Sequence, residues 1–352
     1  MAKNGRGGRG GRIATAERAA AAPAEAPPLA GEGVWQRRHL LDLDDFSAPE
    51  IELVLNTTDV MKEVLAREVP RVPTLRGTTV VTLFYEASTR TRASFELAGK
   101  VLGADVINVS SSGSSVEKGE SLIDSVRTIK AIGADALVLR HGASGAPYLA
   151  AREAGCAVVN AGDGWHAHPT QALLDAYTIH SRLGGVRGRK VVIVGDIAHS
   201  RVARSNLWAL TALGAEVTVC GPPTLLPVGL DGRDRDGADE WELPPVRVQH
   251  NLDRAIEGAD VVMALRLQRE RQEAALIPSL REYSRLYQVN AERMARARPD
   301  AVVLHPGPVN EGIEISAELA HGARSLIEEQ VANGVAVRMA VLYLLLRGRA
   351  PA

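Results

Sequence analysis

Between Leu40 and Leu346 the chain alternates short apolar runs with longer stretches whose apolar positions recur every third or fourth place. The stretch SAPEIELVLNTTDVMKEVLA predicts a helix, with Ser47 as its cap, Pro49 in the first turn and Glu50 completing a capping box. TTVVTLFY reads as a buried strand, SFELAGKVLG as a helix closed by Gly103, DVINV as a strand and SLIDSVRTIKAIG as a helix. The strands ALVLR and AVVNA and the helix PTQALLDAYTIHSRLG complete a first half. After GGVRGRK the grammar restarts, with strands KVVIVGD, EVTVCGP, DVVMAL and DAVVLHPGP and helices SRVARSNLWALTALG and NLDRAIEGA. A long helix, SLIEEQVANGVAVRMAVLYLLLRG, closes the chain with an apolar face that needs a partner. Strands alternating with helices predict parallel sheets covered on both faces. The fold class is therefore α/β, two doubly wound parallel-sheet domains that meet near Gly184–Arg189. From Pro222 to His250 the composition is rich in Asp, Gly and Arg and reads as a solvated excursion without chemistry.

Charge and composition narrow the classes. A formal net charge of −1 argues against a nucleic-acid binder acting by bulk charge, so any anion site must be local. The longest late apolar run, MAVLYLLL, is too short to span a membrane. Cys156 and Cys220 match no metal spacing or disulfide framework and fit a reducing cytosol, as small buried residues. Residues 1–35, with GRGGRGGR and AAAAPAEAPPLAGEG, are of low complexity and read as a disordered tail. Ordered-looking sequence begins at VWQRRHLLDL, which points to Val34 as a start read from a GTG codon.

The informative feature is where polar residues gather. In EASTRTR, the residues Ser88, Thr89, Arg90 and Thr91 lie where a strand hands over to a helix, whose N-terminus suits a phosphate. Helix capping explains the serine and threonine there but not the arginines. SSSGSSVEKGES is either a plain surface loop or, through Lys118, a closing one. Arg140 ends one strand, and HAHPTQ places His168 and Gln171 at a helix start. VVIVGDIAHSRVARS begins like a dinucleotide fingerprint but lacks the glycines beyond Gly195 that admit a pyrophosphate. Arg201 opens the helix after it, with surface ion pairing as its plain alternative. Arg266 and Gln268 leave another strand on one side of an extended chain. HPGP, His305 to Pro308, is a rigid turn at the last strand end. Arginines at strand ends in both halves, without a nucleophile, redox group or metal cage, suit a pair of anionic substrates between two domains.

Taken in order, STRTR, SVEKGES, HPTQ, VGDIAHSRVARS, RLQ and HPGP resemble the motifs of the aspartate carbamoyltransferase catalytic-chain family, from about Arg38 to Arg347. The related ornithine enzymes typically carry a cysteine in the last motif, where this chain reads His305-Pro306-Gly307-Pro308. Gly307 also lacks the aliphatic side chain common there, which changes little if the contact runs through a backbone carbonyl. The resemblance implies transfer of a carbamoyl group from carbamoyl phosphate to the amine of L-aspartate, in cytoplasmic pyrimidine synthesis, with no cofactor and no metal. It implies that the carbamoyl phosphate site comprises Ser88, Thr89, Arg90, Thr91, Ser114, Arg140, His168, Gln171, Gly307 and Pro308. It gives the aspartate carboxylates to Lys118, Arg201, Arg266 and Gln268, and catalysis to Arg90, Thr91, Lys118, Arg140 and His168. Residues 36–184 would bind carbamoyl phosphate and 185–325 aspartate across a cleft, with 326–352 returning to the first domain. A homotrimer is implied, its Ser114–Lys118 loop reaching a neighbour's site, with regulatory or dihydroorotase chains as further partners. Nucleic acid and membrane are not expected partners.

Three alternatives stay open on the sequence: a carbamoyl transferase for another amine such as ornithine, a nicotinamide-dependent oxidoreductase, and an RNA adaptor using the GRGGRGGR tail.

Overall fold

Five of the six residues of β1 (Thr79–Phe84) are buried, as a strand covered on both faces requires. β1 pairs in parallel with β2 (Asp105–Ser110) and β3 (Ala136–His141), and β3 pairs with β4 (Ala157–Asp163), giving the order β2-β1-β3-β4. Leu40 adds a parallel bridge to Val159 at the β4 edge. The computed structural model describes residue 1 and residues 35–110, 119–231, 243–267 and 276–347. The tail and the proposed start at Val34 lie outside the described residues, as do Ser114, Lys118 and Gln268.

Alternation along β1 decides which helices it meets. Val81 and Leu83 face α3 (Leu122–Ile132) and α4 (Ala146–Glu153), while Val80 and Phe84 face the layer of α1 (Ala48–Leu65), α2 (Thr89–Val101) and α5 (Pro169–Leu183). At the start of α1, Glu50 reaches back to accept from the Ser47 backbone N–H at 2.9 Å, and Arg37 clamps the same carboxylate at 2.7 Å.

The second sheet runs β7-β6-β5-β8-β9, all parallel, with β5 (Lys190–Val194) at its centre. Its other strands are β6 (Glu216–Cys220), β7 (Arg247–Gln249), β8 (Val261–Ala264) and β9 (Val302–Leu304). On one face α6 (Arg201–Ala212) packs against α5 of the first domain, so a single apolar core runs through both. On the other face lie α7 (Leu252–Ala255), α8 (Leu280–Tyr287), α9 (Ala291–Met294) and α10 (Ala317–Ala320).

The closing helix α11 (Ile327–Leu346) returns to the first domain and packs on α1, α2 and α5. Its apolar character extends well beyond MAVLYLLL: by length and mean hydropathy it could cross a membrane. Two-thirds of that window is buried inside the protein instead, which makes it a core helix.

The loop-like reading of Pro222–His250 needs correction. β7 adds an edge strand there, and Leu225, Leu226, Leu230 and Leu243 are buried. Three strand residues are too few to show a period of two, so the run carries no pattern to read. α4, α8, α9 and α10 were likewise not anticipated. α9 and α10 are four residues each, little more than one turn.

Candidate active site

The strand order fixes where a ligand belongs. In each sheet the order reverses at one place, between β1 and β3 and between β5 and β8, and crevices open at the carboxyl ends of strands at such points. β1 leads into Ser88–Thr91, β3 ends in Arg140, β5 leads to Arg201 at the start of α6, and β8 leads to Arg266. Four arginines from two sheets thus converge on one cleft of about 920 Å³, which His168, Gln171 and the turn His305–Pro308 also line.

At the first switch point Ser88 occupies the N-cap of α2, yet its hydroxyl makes no bond to the helix. Ser121, Ser200 and Ser279 each accept from a backbone N–H of their own helix. Capping therefore does not account for Ser88, and the first turn of α2 offers its N–H groups to the cleft. Thr91 is buried in that turn, while Arg90 reaches out of it to line the cleft. Partial burial, and Arg266 across the cleft, lower the pKa of Arg90 from its usual value. A cleft that crowds two guanidinium groups together has a deficit of negative charge.

Gly307 decides where Arg90 rests. A Cβ on Gly307 would stand 3.0 Å from the guanidinium carbon of Arg90, and the backbone there has φ +61°. The Gly307–Pro308 peptide is cis. Gly162 plays the same part for two other arginines, as its Cβ would lie 3.0 Å from the Arg201 guanidinium carbon and 3.2 Å from Arg140 Nη1.

Glu86 sits between Arg140 and Arg201, with Oε2 at 3.4 Å from Arg140 Nε and 2.8 Å from Arg201 Nη2. Arg140 Nη1 also donates to the Ala161 carbonyl at 3.2 Å, and Arg201 Nη1 to the Gly164 carbonyl at 3.2 Å. Both guanidinium groups are oriented by carbonyls at the end of β4 and just beyond it, where Asn160 accepts from the Gly162 N–H at 2.8 Å. Arg201 is buried, so the plain reading of it as a surface ion-pair residue does not apply.

His168 is buried, and its backbone N–H donates to Ser205 Oγ of α6 at 2.9 Å, tying the start of α5 to the second domain. Burial, reinforced by Arg140, Arg201 and Arg338, lowers its pKa well below the usual histidine value. The imidazole is therefore neutral at working pH and can donate one hydrogen bond without carrying charge. His166, two residues earlier in HAHPTQ, pairs with Asp163 at 3.1 Å and Asp42 at 3.5 Å. Among the described residues no group of three His, Cys, Asp or Glu could hold a metal.

The structure brings together Ser88, Thr89, Arg90, Thr91, Arg140, His168, Gln171, Arg201, Arg266, Gly307 and Pro308. Sequence reading missed Glu86, Gly162, Gln330 and Arg338. Glu86 had a signal, since a carboxylate two residues before STRTR is a natural counter-charge for clustered arginines, although the arginines it meets are Arg140 and Arg201. Arg338 is a lone charge in the apolar part of α11, buried, with its guanidinium 5.2 Å from the Phe95 ring centre.

Comparison with known proteins places this geometry. Residues 38–181 match the family model described as "Aspartate/ornithine carbamoyltransferase, carbamoyl-P binding domain", and residues 187–345 match its "Asp/Orn binding domain". The aspartate carbamoyltransferase catalytic subunit of Roseiflexus sp. (strain RS-1) is 61% identical over 319 residues, covering 91% of this chain and 98% of the relative. Among solved structures, the aspartate transcarbamoylase of Trypanosoma cruzi in complex with N-(phosphonacetyl)-L-aspartic acid superposes with a TM-score of 0.79 at 31% identity, over 90% of this chain and 98% of that one. The ornithine carbamoyltransferase of Pyrococcus furiosus gives a TM-score of 0.76 at 29% identity, over 89% and 98%. Two sheets with arginines at both switch points, two family models that divide the chain between them and relatives at this identity lead to one conclusion: the chain belongs to the aspartate/ornithine carbamoyltransferase family.

Proposed function

We propose that this chain is an aspartate carbamoyltransferase, moving the carbamoyl group of carbamoyl phosphate to the amine of L-aspartate to give N-carbamoyl-L-aspartate and phosphate. The observation that carries the reading is the convergence of Arg90, Arg140, Arg201 and Arg266 on one cleft beside a buried, neutral His168. Two substrates with several negative charges between them need cations on both walls, and ornithine, with a cationic side chain, would not. The aspartate carbamoyltransferase catalytic subunits of 61% and 60% identity from two Roseiflexus strains also favour aspartate.

In this reading residues 36–184 bind carbamoyl phosphate and residues 185–325 bind aspartate, with 326–352 returning to the first domain. Ser88, Thr89, Arg90 and Thr91 receive the phosphate end, and Gly307 and Pro308 meet carbamoyl phosphate through backbone carbonyls of the HPGP turn. Arg140, His168 and Thr91 donate to the carbamoyl oxygen, and Gln171 meets the carbamoyl NH2. Arg201, Arg266 and Gln268 take the aspartate carboxylates. The deprotonated amine attacks the carbonyl carbon, so a C–N bond forms as the C–O bond to phosphate breaks. Negative charge gathers first on the carbonyl oxygen, where preorganised donors stabilise it, and then on the leaving phosphate, which accepts the amine proton. No covalent enzyme intermediate is required, and alignment of two bound reactants supplies much of the acceleration.

Ser114 and Lys118 complete the site from a neighbouring copy, making a cytoplasmic homotrimer in pyrimidine synthesis the working unit. The test is to assay the purified protein with carbamoyl phosphate plus aspartate or ornithine separately. Carbamoyl transfer to aspartate alone is expected; transfer to ornithine instead, or to neither, overturns the reading. For the assembly, a sedimenting mass below three chains overturns the trimer.

A further inference from the structure

Three amides from three helices turn their NH2 ends toward one carboxylate. Asp175 of α5 has no exposed surface and accepts from Gln171 Nε2 at 2.9 Å, Asn206 Nδ2 at 2.9 Å and Gln330 Nε2 at 2.7 Å. Gln171 is one turn before Asp175 on α5, Asn206 belongs to α6 of the second domain, and Gln330 to α11. An ionised carboxylate only accepts hydrogen bonds, so it dictates which end of each amide faces it. The opposite end of each amide is thereby assigned as well. For Gln330 that end is Oε1, which accepts the backbone N–H of His305 at 2.9 Å and so fixes the start of the HPGP turn. For Gln171, which lines the cleft, the carbonyl oxygen is the end left to face a ligand.

We propose that Asp175 is a positioning residue for substrate choice: by holding the Gln171 amide with NH2 inward, it presents Oε1 to the cleft as an acceptor for the NH2 of the carbamoyl group. An acyl phosphate with a methyl in place of that NH2 has nothing to donate, so the acceptor discriminates between the two. A site built to hydrogen-bond a substrate NH rejects the analogue lacking it, because its own buried acceptor is then left unpaired. The inference rests on the reading of the cleft as a carbamoyl phosphate site.

The surroundings keep the carboxylate in service. Burial raises the pKa of Asp175 to about 6, opposed by the Asn206, Gln330 and Gln171 donors and by the charge of Arg338. Asp175 is thus ionised at pH 8. An asparagine in its place offers both a donor and an acceptor end, and the neighbouring amides lose their single orientation.

The experiment compares the unaltered enzyme with Asp175→Asn at pH 8. It measures the KM for carbamoyl phosphate and the inhibition constants of acetyl phosphate and inorganic phosphate, after confirming fold by circular dichroism. Expected is a loss of about tenfold or more in the preference for carbamoyl over acetyl phosphate, with phosphate affinity changed less than about threefold. An unchanged preference overturns the proposal, and so does an equal weakening of all three compounds, which marks a merely structural role. Should the asparagine variant not fold, Gln171→Met decides: lost preference supports the acceptor, and retained preference removes it. Absence of carbamoyl transfer in the unaltered enzyme would instead count against the function proposed above.

Discussion

Arg201 Nη2 and Glu86 Oε2 lie 2.8 Å apart although they belong to different sheets, one opening α6 and the other following β1. Arg140 approaches the same oxygen at 3.4 Å, so one carboxylate stands between two guanidinium groups and ties the domains across the cleft. Glu86→Gln removes that charge and leaves the two arginines to repel. The expected outcome is a fall of about 30-fold or more in kcat/KM for aspartate. Steady-state kinetics with aspartate varied checks it, and a change confined to carbamoyl phosphate saturation would contradict it.

Arg90 and Arg140 sit at the two strand ends of the first switch point and differ in what they serve. Arg90→Ala or Arg140→Ala should each lower kcat by about 10²–10³, the scale of one lost oxyanion donor. Arg140 is the more informative variant, because its guanidinium is oriented by the Ala161 carbonyl. Melting temperatures of both variants, measured beside kcat, separate lost chemistry from lost fold.

Gly162 supports two arginines at a φ of +115°, outside the region an L side chain readily adopts. Gly162→Ala should cost about 1–2 kcal/mol of stability from backbone strain. It should also weaken aspartate and carbamoyl phosphate saturation together, since the new Cβ would push both guanidinium groups aside. Urea unfolding gives the first quantity and initial rates the second.

His168 has a depressed pKa in the folded chain, so its sign is fixed: the folded state resists a proton that the unfolded state takes up. The contribution of His168 to stability is present above the unfolded pKa near 6.5 and declines as pH falls below it. For catalysis, the imidazole stays neutral through that range, and the acid limb of the kcat profile belongs to other groups. His168→Asn is expected to lower kcat about 100-fold without moving that limb. A shifted limb in log kcat against pH would show that His168 titrates during turnover.

Much of this was legible because parallel sheets bury strands on both faces and place function at their ends. Arg140 and Arg266 stood out as charges directly after apolar runs, Arg90 and Arg201 as charges at the helix starts that follow such runs, and each lies in the cleft. Gly162 was not read because its role exists only between segments far apart in sequence, and the carboxylate of Glu86 beside STRTR gave no hint of its partners, Arg140 and Arg201. Asp175 carried a local signal, four residues after Gln171 on the same helix face, but its other partners come from α6 and α11. β7 escaped because Arg247–Gln249 is strand by pairing with β6, with no periodicity of its own.

The return of α11 to the first domain also bears on the order in which the protein is made. Residues 327–346 supply part of the helix layer over β1–β4, yet they follow the whole second sheet along the chain. A growing chain leaves the ribosome N-terminal end first, so the half synthesised first must wait for the last helix before its core can close. Until then the apolar surfaces of α1, α2 and α5 that α11 covers stay open, and the nascent chain passes through its most aggregation-prone interval with the second domain already complete.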